Sequence, residues 1–422
     1  MRSLFRLLLL SCSLSLPLPT AAAEPLTFAQ TLAVAAEKNP SLAAQAYQER
    51  AAGALIDQAS VRPIPTLDVT LENALGTGRL QGVRSLETTV QASQVFERGD
   101  KLAKRVTLAT RERDTIAREF AVRRTEVLAS AATAFVAALA AQQRLALAAE
   151  PLRLARETLA LIETRARAGA ASSLESTRAR AAVIAADADF TRAESAAAAA
   201  RRALVAAWGG DTPDPAAPAL SGQLLTPAAL PAEAPLRARL AAHPQLDLQS
   251  ARIATHRAAA DLAQTRTTSD ITASGGVRFI RDGTDAAFVA GLSVPFPTRQ
   301  TNQGNLRAAR ETLAGAELAA RAVERELRLA FNAAWQDLVA AHALAKKLRH
   351  VALPVGEEAH TAVRLAYAAG SVPLTDVLDA RRALAALQLE LLAADTDYAL
   401  ALVRLEALTD SAFPLTAALL VP

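Results

Sequence analysis

Two stretches of strict alternation stand out against long helical periodicity. Leu67, Val69 and Leu71 alternate with Asp68, Thr70 and Glu72, and after a Gly-rich loop at 76–84, Leu86, Thr88, Val90 and Ala92 alternate with Glu87, Thr89, Gln91 and Ser93. A period of two predicts strands with one apolar and one polar face. The pattern returns some 200 residues later. Ile271, Ala273, Gly275, Val277 and Phe279 lead through the turn Arg281-Asp282-Gly283-Thr284 into Phe288, Ala290, Leu292, Val294 and Phe296. Each hairpin precedes a long run of three-four apolar spacing, from Leu102 to Ala166 and from Leu306 to Ala366, rich in alanine, which predicts coiled-coil packing. A helix of about 70 residues would reach roughly 105 Å at 1.5 Å per residue, longer than a compact core requires.

The chain therefore reads as a duplication. Residues 24–210 give a helix, a hairpin at about 65–96, a long helix at about 99–168 and a shorter one at about 173–208. Residues 236–410 give a helix, a hairpin at about 270–296, a long helix at about 302–369 and a shorter one at about 374–409. Asn39-Pro40-Ser41-Leu42 matches His243-Pro244-Gln245-Leu246, Ser93-Gln94-Val95-Phe96 matches Ser293-Val294-Pro295-Phe296, and Phe135 matches Trp335. Residues 211–235, rich in proline and alanine, form a connector, and 411–422 a short tail. Pro151 and Pro354 are expected to bend the two long helices, because each removes a backbone donor.

Residues 1–23 carry a basic start at Arg2 and Arg6, an apolar stretch from Leu7 to Leu18 and Ala21-Ala22-Ala23, the pattern of an export signal peptide cleaved after Ala23. Leu9-Leu10-Ser11-Cys12 is a loose alternative lipidation site. Beyond this leader no apolar run approaches the ~20 residues of a membrane helix, so a membrane crossing would have to be made with strands. Strands of about ten residues suffice to span a bilayer at a tilt. A soluble sheet with one wet face has the same alternation.

Charge and chemistry exclude more than they suggest. The net charge of +4 is spread along the chain with no basic block, so nucleic acid is not an expected partner. The single cysteine and single methionine, Cys12 and Met1, both lie in the leader, leaving neither thiolate nor thioether for a soft metal. None of His243, His256, His342, His350 and His360 stands three or four residues from another, and each reads as a solvated or capping residue. With no glycine loop for phosphates and no nucleophile motif, the chain is expected to be neither an enzyme nor a holder of a cofactor or resident metal.

The duplication, the hairpin positions and the sequence from Tyr367 through Gly370 to Asp376 and Asp379 together resemble the TolC-like outer-membrane factors. Leu71-Glu72-Asn73 and the junction Ser93-Gln94-Val95-Phe96-Glu97-Arg98-Gly99-Asp100-Lys101-Leu102-Ala103-Lys104-Arg105 are similar to the cobalt-zinc-cadmium resistance subgroup. The resemblance implies an α+β membrane protein, a homotrimer whose four strands per chain close a 12-stranded outer-membrane β-barrel, continued by a periplasmic α-helical coiled-coil tunnel with an internal two-fold repeat. It implies an exit duct of a tripartite efflux system, partnered by outer-membrane lipid, a periplasmic membrane-fusion adaptor and an inner-membrane RND pump, with divalent heavy-metal cations as cargo. Drug efflux or type I secretion by the same duct is an alternative, and a periplasmic coiled-coil scaffold is one of another class.

On this resemblance Asp68, Thr70, Glu72, Glu87, Thr89 and Gln91 would line the barrel lumen. Gly169 and Gly370 would mark the periplasmic tip, where Asp376 and Asp379 would form stacked acidic rings and Glu175 would latch Tyr367. The plainer reading of Asp376 is a charge at a helix N-terminus. Val372 and Leu174 depart from family members that carry a basic and a hydroxyl residue there, so hydrophobic contacts would replace a latch at those two positions.

Overall fold

The structure, a computed structural model, describes residues 25–169, 171–210, 219–281, 283, 285–296, 302–409 and 412–420. The leader with Cys12, and the turn residues Asp282 and Thr284, lie outside the described residues. Helices α1 (Phe28–Lys38) and α2 (Pro40–Ser60) are followed by strands β1 (Thr66–Glu72) and β2 (Glu87–Phe96), then α3 (Lys101–Arg167) and α4 (Ser173–Ala207). The second half runs α5 (Glu233–Arg239), α6 (Pro244–Thr265), β3 (Ile271–Ile280), β4 (Asp285–Ser293), α7 (Gln303–Lys347), a π-helical turn at Leu348–Ala352, α8 (Leu353–Ala368) and α9 (Leu374–Thr409), with α10 (Pro414–Leu419) at the end. Both halves thus place a hairpin before a long helix and a shorter helix after it.

The four strands form one antiparallel sheet in the order β1-β2-β3-β4. Its outer strands β1 and β4 have no further strand beside them among the described residues. At Gly276 an added Cβ would lie 2.2 Å from the Val90 carbonyl oxygen, so only glycine permits this approach of β3 to β2.

Below the sheet, α3 packs against α2, α4, α6 and α9, while α7 packs on α6 and α9 and α8 continues along α9. The short helices stack end to end. Asn39 begins α2 by accepting a hydrogen bond from the Ser41 amide, while its Nδ2 donates to the Ala207 carbonyl at the end of α4, 3.1 Å away. Pro40 fits here because the first helical position needs no amide donor. Gly209, at φ +89°, turns the chain so closely over Pro40 that a Cβ would meet the Pro40 ring at 2.2 Å. His243 takes the place of Asn39 in the second half, its Nδ1 accepting from the Gln245 amide at 3.2 Å. The helices form a wall of four columns: α4 with α2, α3, α9 with α6, and α8 with α7.

The apolar core lies at the waist of this wall. Phe135 is fully buried beside Phe28 (centroids 5.5 Å apart) and shares a cluster with Phe413, Leu139 and Val403. Phe331, Leu338, Tyr398 and Leu405 build a second cluster beside it. One stretch of α3 is, against the expectation from sequence, apolar and long enough to cross a membrane by composition, because the alanines that let helices approach closely are themselves apolar.

The described part of the connector is strapped across the waist. Leu220 exchanges hydrogen bonds with the Gln142 side chain through both its N–H and its C=O, and Leu26 bonds to Ala219 and Ser221. Further on, the buried Asp395 carboxylate accepts from the Thr226 amide (3.1 Å), the Thr226 hydroxyl (2.6 Å) and Arg349 (2.6 Å to each oxygen).

The two prolines act differently. α3 runs unbroken through Pro151, whose carbonyl accepts from Arg381 at 3.3 Å. Ahead of Pro354 the helix opens into the π turn, with the Leu353 amide bonded to the Leu348 carbonyl. A π turn relieves the clash of the proline ring with the carbonyl four residues earlier, at His350.

Candidate functional site: the sheet faces and the helical tip

Strand register fixes which residues share a face. Asp68 pairs with Gln91, Thr70 with Thr89 and Glu72 with Glu87, so the six polar residues singled out in the sequence lie on one face. Continuing across the sheet, Gln91 pairs with Gly276 and Thr89 with Arg278, which brings an arginine onto the same face. Arg278 donates from Nε to the Thr89 hydroxyl (3.1 Å) and from Nη1 to Glu87 (3.1 Å), and its Nη2 lies 3.3 Å from Glu72. Asp68 accepts from the Ser93 hydroxyl at 3.2 Å. Sequence reading named the acids and missed the arginine. The available signal was its parity, since Arg278 occupies a polar position between Val277 and Phe279.

The opposite face is apolar from edge to edge. Val69, Val90, Val277 and Phe288 form one continuous row across the four strands, flanked by Leu67, Leu71, Phe279 and Leu292. Phe288 is 79% exposed and Leu67 71%, and among the described residues no helix covers them. A contiguous apolar face of this extent marks contact with lipid or protein, and a sheet with unpaired edges enters lipid only when its edges are paired.

At the far end of the helical wall the two halves meet. Gly370, at φ +76°, ends α8 in the left-handed conformation, with its own amide bonded to the Tyr367 carbonyl and the Ser371 amide to the Ala366 carbonyl. These are the paired bonds of a Schellman cap, which a glycine accommodates without Cβ strain. Gly169 ends α3 likewise at φ +74°. Ile162, Ala179 and Leu374 form a small buried cluster there, with Tyr367, Leu159 and Leu378 against it.

The expected pairing of Glu175 with Tyr367 is not made within the chain. Glu175 closes a capping box at the start of α4, accepting from the Ser172 amide at 2.8 Å while its own amide donates to the Ser172 hydroxyl. Three-residue spacing to a serine N-cap satisfies it locally. The Tyr367 hydroxyl instead accepts from Arg165 at 3.3 Å, a residue that sequence reading did not single out. Leu174 is exposed and Val372 half-buried. Asp376 sits in the first turn of α9, and Asp379, one turn on, pairs with Arg382 at 2.9 Å; both acids face solvent.

Elsewhere along the wall, burial holds the His243 imidazole below the ordinary histidine pKa of 6.5, only partly opposed by the Ala407 carbonyl. Burial, with the Glu406 carboxylate nearby, pushes the Tyr398 hydroxyl up to about 12.

An amphipathic sheet mounted on a wall of helices up to 67 residues long is the architecture of an outer-membrane channel with a helical tunnel. Residues 31–210 and 236–410 match the model of the family described as outer membrane efflux protein, and the chain belongs to that family. Its membrane is the outer membrane, with the helical wall in the periplasm. The chain is 30% identical over 370 residues to the cobalt-zinc-cadmium resistance protein CzcC of Cupriavidus metallidurans, covering 87% of this chain and 85% of that one. It is 33% identical over 320 residues to the nickel and cobalt resistance protein CnrC of the same organism, covering 75% and 73%. In fold it is similar to a crystal structure of CusC, with a TM-score of 0.74 at 17% identity over 90% of this chain and 91% of that one.

Proposed function

We propose that three copies of this chain close into one exit duct for divalent heavy-metal cations. The observation that carries the closure is the open sheet with an exposed apolar face and two unpaired edges. Three such sheets edge to edge give a twelve-stranded barrel, apolar towards lipid, with Asp68, Thr70, Glu72, Glu87, Thr89 and Gln91 towards water. The helical wall is open in the same sense, with α2 and α4 at one border and α7 and α8 at the other.

In the closed ring, Asp376 and Asp379 of three tips form acidic rings that attract cations at the narrow end. Their exposure supports this, as does the position of Asp376 where α9 begins. Opening is driven from outside the chain, by a periplasmic adaptor coupled to an inner-membrane pump. The metal cargo is supported by the cobalt, zinc, cadmium and nickel resistance that the relatives' names state.

Deletion tests the reading. Loss of the protein is expected to sensitise cells to zinc, cobalt, cadmium or nickel, with restoration by the wild-type chain. Unchanged metal tolerance together with new drug sensitivity would overturn the cargo, and recovery of a soluble monomer without detergent would overturn the duct.

A further inference from the structure

Glu72 and Glu87 face each other directly across β1 and β2, on the polar side of the sheet. Like charges in directly opposed positions repel, so this pair needs a counter-ion. Arg278, on the third strand, supplies it: Nη2 lies 3.3 Å from Glu72 Oε2 and Nη1 3.1 Å from Glu87 Oε2, while Nε is held by the Thr89 hydroxyl. Asn73 donates to the other Glu87 oxygen at 3.0 Å, steering that carboxylate towards the arginine. Without the guanidinium, the same spot would offer two carboxylates and a hydroxyl at the edge of an aqueous lumen. Carboxylate oxygens bind zinc as well as harder divalent cations, with affinity rising with the number of charged ligands.

We propose that Arg278 is a resident, tethered cation that fills a two-carboxylate site near the exit end of the barrel and so keeps the wall from retaining the cations that pass it. It is a specificity-determining residue: conduction requires sites weak enough to leave, and the arginine halves the net negative charge of this one. The inference rests on the proposed divalent-cation cargo, but its test does not.

The full-length protein is reconstituted in planar bilayers, and block of the potassium current by added zinc is measured. R278Q is expected to lower the half-blocking zinc concentration on the order of tenfold, because two charged oxygen ligands become free. R278K, which keeps the charge, is expected to stay near the wild type, and R278Q/E72Q/E87Q to lose the added block. Wild-type zinc sensitivity in R278Q, or enhanced block that survives in the triple variant, overturns the proposal. Should R278Q fail to assemble, E72Q/E87Q carries the test: with the acids neutralised, Arg278 is expected to shift the reversal potential towards anion permeation, and an unmoved potential overturns its place in the lumen. Failure of the cargo reading appears separately, as unchanged metal tolerance on deletion with the zinc block of R278Q intact.

Discussion

Truncating Asp395 to alanine should release the connector from the waist, and the structure sets the scale. The Asp395 side chain is 6% exposed and Arg349 22%, so water replaces little of what is lost. Four hydrogen bonds end on the carboxylate, two from Arg349 and two from Thr226. Removing one partner of such a pair costs up to about 3–5 kcal/mol, because the half-buried Arg349 loses its counter-ion and keeps only the Thr226 carbonyl. Taken as about 4 kcal/mol at 1.4 kcal/mol per factor of ten, this is roughly a thousandfold faster local opening. The assay is hydrogen exchange followed by mass spectrometry on detergent-solubilised protein, read on peptides covering Leu224 to Pro227 and the π turn at Leu348–Ala352. D395N, which keeps shape and one acceptor, should cost about 1.5–3 kcal/mol, the range of a charge-assisted hydrogen bond. The decisive comparison is R349L/D395L. If the orphaned charge dominates, the double variant should exchange far more slowly than D395A; equal exchange in the two would refute that reasoning, and wild-type exchange in D395A would refute the strap itself.

His243 and the lipid face give two more tests. Because burial lowers the folded pKa of His243, its neutral form stabilises the native chain fully above the unfolded value of 6.5, and that contribution is lost as pH falls through the folded value. Thermal unfolding between pH 8 and pH 5 should therefore fall more steeply for the wild type than for H243N, which installs the asparagine found at the matching position, Asn39; parallel curves would exclude the histidine as a source of acid sensitivity. Phe288, 79% exposed, could be replaced by arginine at no cost in water, whereas at mid-bilayer F288R should cost about 2–4 kcal/mol and reduce the protein recovered from outer-membrane fractions. Undiminished recovery would place this face outside lipid.

What the sequence reveals follows from which interactions are periodic. The alternation of Leu67 to Glu72 and of Leu86 to Ser93 is a local signature, so the six polar residues share one face through simple parity. Arg278 eluded notice because its meaning depends on register with Glu87, 191 residues away. The connector looks featureless because its anchors are largely backbone groups of Leu220, Thr226 and Pro227, met by Gln142, Asp395, Arg349 and His342. Backbone partners leave no trace in composition. At the tip, the resemblance points Glu175 to a long-range partner, whereas within the chain Ser172, three residues earlier, satisfies it locally and Arg165 contacts Tyr367 from the other half.

The end-to-end stacking of α4 on α2 and of α9 on α6 makes the wall mechanically uneven. In two columns the chain leaves one helix and enters another at the waist, joined there by contacts such as Asn39 on Ala207 rather than by peptide bonds. The other two columns are covalently continuous from sheet to tip, but each carries a proline below the waist, Pro151 in α3 and Pro354 behind the π turn. Three of the four staves are thus interrupted between sheet and tip, two by a chain break and one by the π turn, while α3 alone runs through as one helix. In the proposed duct, bending of the helical end at these breaks would leave the strand pairing of the sheet undisturbed.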